Sequence, residues 1–94
     1  MIVELQCLPT PAGRPDDPHA HVEAAIAVIV ASGLHYEVGP LGTTLEGDPD
    51  EVWPVLRQAH EACLAAGAQS SIAVVKIAEG ISKGMDDLTR KFRP

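Results

Sequence analysis

A chain of 94 residues has room for one small domain, whose fold hides roughly two-thirds or less of the surface its unfolded form exposes; an enzyme with separate cofactor and substrate lobes is excluded. Hydrophobic residues at 46% and charged residues at 21% are ordinary globular composition, which excludes disorder. Seven Lys and Arg against thirteen Asp and Glu leave a net charge of −6, the wrong sign for a phosphate backbone, which needs a basic stripe.

Residues 2–8 read as a strand. Val3, Leu5 and Cys7 share one apolar face, Ile2, Glu4, Gln6 and Leu8 a mixed one, and Pro9 and Pro11 are expected to end it. Asp17 and Pro18 then offer an N-cap followed by a proline at the first helical position. Val22, Ala25, Ile26, Ile29 and Val30 recur at helical spacing, and Gly33 closes that helix. Its apolar run, Ala24 to Ala31, is the longest in the chain and falls far short of the ~20 residues that span a bilayer. With no basic, small-residue-terminated leader at Met1, a cytoplasmic location is expected.

His35 to Val38 and Thr43 to Glu46 pair as a hairpin around Gly39-Pro40-Leu41-Gly42. Asp48-Pro49-Asp50-Glu51 starts a second helix, with Glu51 placed for a capping box. The helix should bury Val52, Val55, Leu56, Ala59 and Cys63 and stop at Gly67; Pro54 predicts a kink or a loose first turn. Ser70 to Ala78 is the last strand, apolar on both faces, and the tail 80–94 is expected to turn once or twice with Leu88 and Phe92 on one side. The order predicts an α+β, ferredoxin-like βαββαβ plait: a four-stranded antiparallel sheet with both helices on one face. Its other face, carrying Ile2, Leu8, Ile72 and Val74 beside Glu4, Gln6 and Lys76, should be covered by a second copy.

Reactive side chains are few. His19 and His21 flank the start of the first helix on different sides and read as solvated; His60 has no ligand at i±4, and His35 starts a strand. No metal site is expected. Cys7 and Cys63 form no CxxC and read as reduced core thiols. Ser70 and Ser71 lack a nucleophile elbow, and no phosphate-cradling glycine motif is present. One Trp, one Tyr and one Phe are too few for a base-stacking platform, so nucleic acid is not expected as a partner. The hairpin is left, where Thr43 and Thr44 offer hydroxyls at a sheet rim or serve only as β-branched strand residues.

The stretch Tyr-Glu-Val-Gly-Pro-Leu-Gly-Thr-Thr-Leu-Glu-Gly, over 36–47, resembles the signature hairpin of a small prokaryotic thiamine-binding protein family. The opening Met-Ile-Val-Glu, the Ala-Ser-Gly-Leu helix end, the Glu-Gly-Asp-Pro-Asp-Glu-Val helix start and His60-Glu61-Ala62 fit it as well, over residues 1–92. The resemblance implies a ferredoxin-like fold, assembly through sheets into homodimers or homotetramers, and binding of thiamine or its hydroxymethylpyrimidine half without chemical change. It places the pyrimidine-holding positions at Gln6 and Thr43, with Gly42 and Thr44 flanking. Gly42 stands where some relatives carry a polar side chain, and Gln6 where a small hydroxyl residue is usual. The expected function is therefore non-catalytic binding of thiamine or hydroxymethylpyrimidine. The competing expectation is a module that assembles through its sheet face and has no small ligand.

Overall fold

The computed structural model describes residues 1–94. Its elements run β1 (Ile2–Thr10), α1 (Ala20–Ala31), β2 (His35–Val38), β3 (Thr43–Glu46), α2 (Pro49–Ala65), β4 (Ser70–Ala78) and α3 (Met85–Thr89), the last followed by a single 3-10 turn, Arg90–Phe92. The four strands form one antiparallel sheet in the order β2-β3-β1-β4. No helix is long and apolar enough to cross a membrane.

Strand alternation sorts the side chains. Val3 and Leu5 on β1 and Leu45 on β3 point to one side and meet Ala25 and Ile29 of α1 and Val52, Val55, Leu56, Ala59 and Cys63 of α2 in a single core. The α2 stripe is the one its helical spacing predicts. Ile2, Glu4, Gln6 and Leu8 point the other way, opposite Ala78, Lys76, Val74 and Ile72 of β4. Neither α1 nor α2 covers that side: Leu8, Ile72 and Val74 stay 45, 65 and 44% exposed. Glu4 and Lys76 pair across the strands, Oε1 to Nζ 3.5 Å.

Several expectations need correcting. Pro9 does not end β1, which runs on to Thr10 opposite Ser70. β3 pairs with β1 only as far as Leu5, so Pro9 lies where one side of β1 has no neighbouring strand, and its missing N–H breaks no ladder bond there. The first helix starts at Ala20 rather than at Pro18. Residues 11–18 instead turn back on themselves, with Arg14 and Asp17 bridged, and the Ala12 carbonyl accepts the N–H groups of His21 and Val22. His21 is consequently not solvated. It is 3% exposed, with Nδ1 2.7 Å from the Pro11 carbonyl oxygen and Nε2 facing Gly67.

Asp48 caps α2 through its main chain, whose carbonyl accepts from Glu51 and Val52; no side-chain cap forms. Pro54 sits on the exposed side of an uninterrupted helix. Its ring removes only the bond to the Asp50 carbonyl, which lies at the surface within reach of water. β4 is an edge strand, and both its faces are partly open: Val75 and Ile77 on the helix side are also exposed. In the tail the buried anchor is Met85, while Leu88 and Phe92 face solvent. The tail folds onto its own hairpin, where the Met85 N–H donates to Glu46, His35 pairs with Asp86 at 2.8 Å, and the Arg93 guanidinium grips both oxygens of Glu37.

Candidate functional site

The short strands β2 and β3 leave one corner of the sheet unfilled. β1 continues past the end of β3, α1 crosses above it, and the turn Gly39–Gly42 bends in from the side. Between them lies a cavity of about 220 Å³. Val22, Ala25, Ile26 and Ile29 supply its apolar roof, Leu5, Gln6 and Cys7 its floor, and the turn with Thr43 its rim. No lining residue carries a charge. The volume is below the ~300–1,000 Å³ typical of sites for whole drug-sized ligands, which suits one ring with its substituents.

Thr43 is only 4% exposed because it opposes Leu5 and projects to the helix side, where it brings the one side-chain hydroxyl of the lining. The glycines of the turn follow from close approach. A Cβ on Gly39 would stand 2.9 Å from the Gly42 carbonyl oxygen, and one on Gly42 would lie 3.2 Å from that of Leu5 and 3.3 Å from Glu4 Cγ. A larger residue at 42 would have to push β1 back.

Of the four residues singled out in the sequence, Gln6, Gly42 and Thr43 border this cavity and Thr44 does not. Thr44 opposes Glu4 and Glu37 on the uncovered side of the sheet, where it lines a shallower depression with Glu4, Glu37 and Arg93. Gln6 opposes Val74, so its side chain also leaves on the uncovered side. The Gln6 amide and the Thr43 hydroxyl therefore do not converge on one ring: alternation along the strands holds them on opposite faces.

Sequence reasoning missed the α1 wall, because Val22, Ile26 and Ile29 at helical spacing look like any core stripe. It also read Cys7 as core only. The Cys7 thiol packs against the core and borders the cavity. Burial first, and then the neighbouring Cys63 thiol, push it up to about 12, so it stays protonated at neutral pH and is a poor nucleophile. The buried Nδ1 of His60 and Oγ of Ser71 have no hydrogen-bond partner, and neither residue lines the cavity.

Comparison with known proteins adds the context. The sequence profile of a family described as Thiamine-binding protein matches residues 3–93. A UPF0045 protein from Clostridium perfringens is 36% identical over 75 residues, 77% of each chain. Among solved structures, a domain of unknown function, DUF77, from Bacillus cereus superposes with a TM-score of 0.80 at 36% identity, covering 99% of this chain and 91% of that one. A Thermotoga maritima protein provisionally assigned to thiamine biosynthesis or salvage has the same fold, with a TM-score of 0.81 at 22% identity over 98% of this chain and 97% of its own.

Proposed function

This chain belongs to the thiamine-binding protein family, and from that premise we propose that it binds thiamine, or the hydroxymethylpyrimidine half of it, without transforming it. The observation that carries the reading is the uncharged, ring-sized cavity with the buried Thr43 hydroxyl on its rim. A neutral pyrimidine suits those apolar walls, and the hydroxyl supplies a donor or an acceptor to its edge. The cationic thiazolium would stay outside the cavity, toward the bulk of a chain with net charge −6. A protonated Cys7 thiol favours binding over nucleophilic chemistry. The element order and the sheet order support reading the fold as a ferredoxin-like plait.

Calorimetric titration with thiamine and with hydroxymethylpyrimidine is the test. Saturable heat with either supports the reading, and silence with both at millimolar concentration removes it. Thr43→Val keeps the shape of the residue and should weaken binding by roughly fivefold, the loss of about 1 kcal/mol expected for one hydrogen bond. A second reading, assembly through the open sheet face with no small ligand, is favoured by the exposed Leu8, Ile72 and Val74. Assembly is also part of the first reading: a homodimer or homotetramer would cover that patch. Silent titrations together with an oligomer in light scattering would leave the second reading standing alone.

A further inference from the structure

The direction of the main-chain groups along β1 follows from two pairs of bonds. Met1 and Gly47 exchange both, at 2.9 and 3.2 Å, which makes Val3–Leu45 and Leu5–Thr43 the next hydrogen-bonded pairs of that ladder. The hairpin agrees, since Gly39 donates to the Gly42 carbonyl at 2.8 Å and the even residues of β3 therefore serve β2. Odd residues of β1 thus send N–H and C=O toward β3, and even ones toward β4. Cys7 is the next odd residue after Leu5. The ladder with β3 ends at Leu5, and the position that would face Cys7 falls on Leu41, which is in the turn and 80% exposed.

Cys7 therefore presents one main-chain donor and one acceptor, side by side, to the cavity whose floor it forms. A main-chain donor and acceptor left without a strand partner beside an apolar cavity are free to be answered by a ligand. The partner cannot be an added strand, which would bond to successive odd residues: the next one is Pro9, which has no N–H. A single donor–acceptor pair over a small apolar cavity fits one flat ring carrying an acceptor nitrogen next to an amino group. We infer that the Cys7 main chain is the recognition edge for an aminopyrimidine-type ring, its N–H donating to the ring nitrogen and its C=O accepting from the exocyclic amine. This rests on the binding reading above and adds to it the atoms that select the ring.

Amide hydrogen exchange on the ¹⁵N-labelled full chain tests it, with 4-amino-5-hydroxymethyl-2-methylpyrimidine as the probe. In the free protein the Cys7 amide should exchange at least tenfold faster than that of Leu5, and saturating probe should slow it at least tenfold. The analogue without the amino group should bind at least tenfold more weakly. Cys7→Pro deletes this N–H on an edge that already accepts Pro9, and should bind at least tenfold more weakly than Cys7→Ala, which keeps it. Equal protection of Cys7 and Leu5 in the free protein overturns the inference. So does binding that leaves Cys7 exchange unmoved, while the binding reading survives. If the probe does not bind at all, the inference falls and the thiamine titration decides the binding reading; if Cys7→Pro does not fold, the exchange comparison and the analogue decide.

Discussion

The two sides of the sheet are made from the same strands and end in opposite states. On the helix side, Val3 and Leu45 have no exposed surface, and two helices close over them. On the other side, Ile72 and Val74 are as apolar as anything in the core, yet most or nearly half of each stays open. The difference lies in what the chain itself provides. Its two long helices return to one side, and the tail that reaches the other is held at the hairpin by Glu37, His35 and Glu46, away from β4. One side is a finished core that sets stability. The other is left open, with Ile72 and Val74 uncovered by the chain's own helices.

Substitutions can break that contrast in graded fashion. Leu45→Ala removes a fully buried side chain and should cost about 2–5 kcal/mol of stability in urea or thermal unfolding. Gly67→Ala acts at the junction between α2 and β4, where φ is +127° and a Cβ would stand 3.1 Å from Nε2 of His21. Both effects oppose the change, and a loss of about 1–3 kcal/mol is expected.

Alkaline pH probes the helix side through Cys7. Its folded thiol, raised to about 12 from an ordinary value of 9.0, disfavours the thiolate more than the unfolded chain does. Stability should therefore be intact below pH 9 and fall between 9 and 12. Cys7→Ala should flatten that fall in unfolding curves recorded at pH 7 and pH 10.5. The smallest effect on the fold belongs to the open side: Ile72→Glu should change the stability of the isolated chain by less than about 0.5 kcal/mol. The same substitution should convert an oligomer to a monomer in light scattering, and an unchanged mass would reject the open face as the assembly surface.

What could be read in advance followed the strength of the local signals. β2, β3 and β4 have the bounds that turn residues and β-branched runs imply, and the α2 stripe follows from spacing alone. Boundaries failed where a distant partner decided them. Pro9 is tolerated because β3 is short, and α1 starts late because residues 11–18 turn back on themselves: the Asp17 carbonyl accepts from Ala20, the Ala12 carbonyl accepts from His21 and Val22, and no side chain caps the helix. His21 looked like a surface residue because nothing local announces the Pro11 carbonyl and Gly67 that enclose it. At the cavity, strand parity divides the residues that the resemblance implied, with Thr43 facing in and Thr44 facing away. The Cys7 main chain has no sequence signature, since any residue there would present the same two groups.

The pairing of β1 with β4 joins the first strand of the chain to its last, with Ile2 opposite Ala78. Contacts between such distant residues must pay the full entropy of closing the loop before they return anything, and folds rich in them form slowly. During synthesis the hairpin and both long helices leave the ribosome before β4 does. Until Ala78 follows, the β4-facing edge of β1 has no neighbour at all. For that interval the nascent chain carries an open, apolar strand edge, the kind of surface through which incomplete sheets join one another. Synthesis rate and chaperone supply should thus affect the soluble yield of this protein.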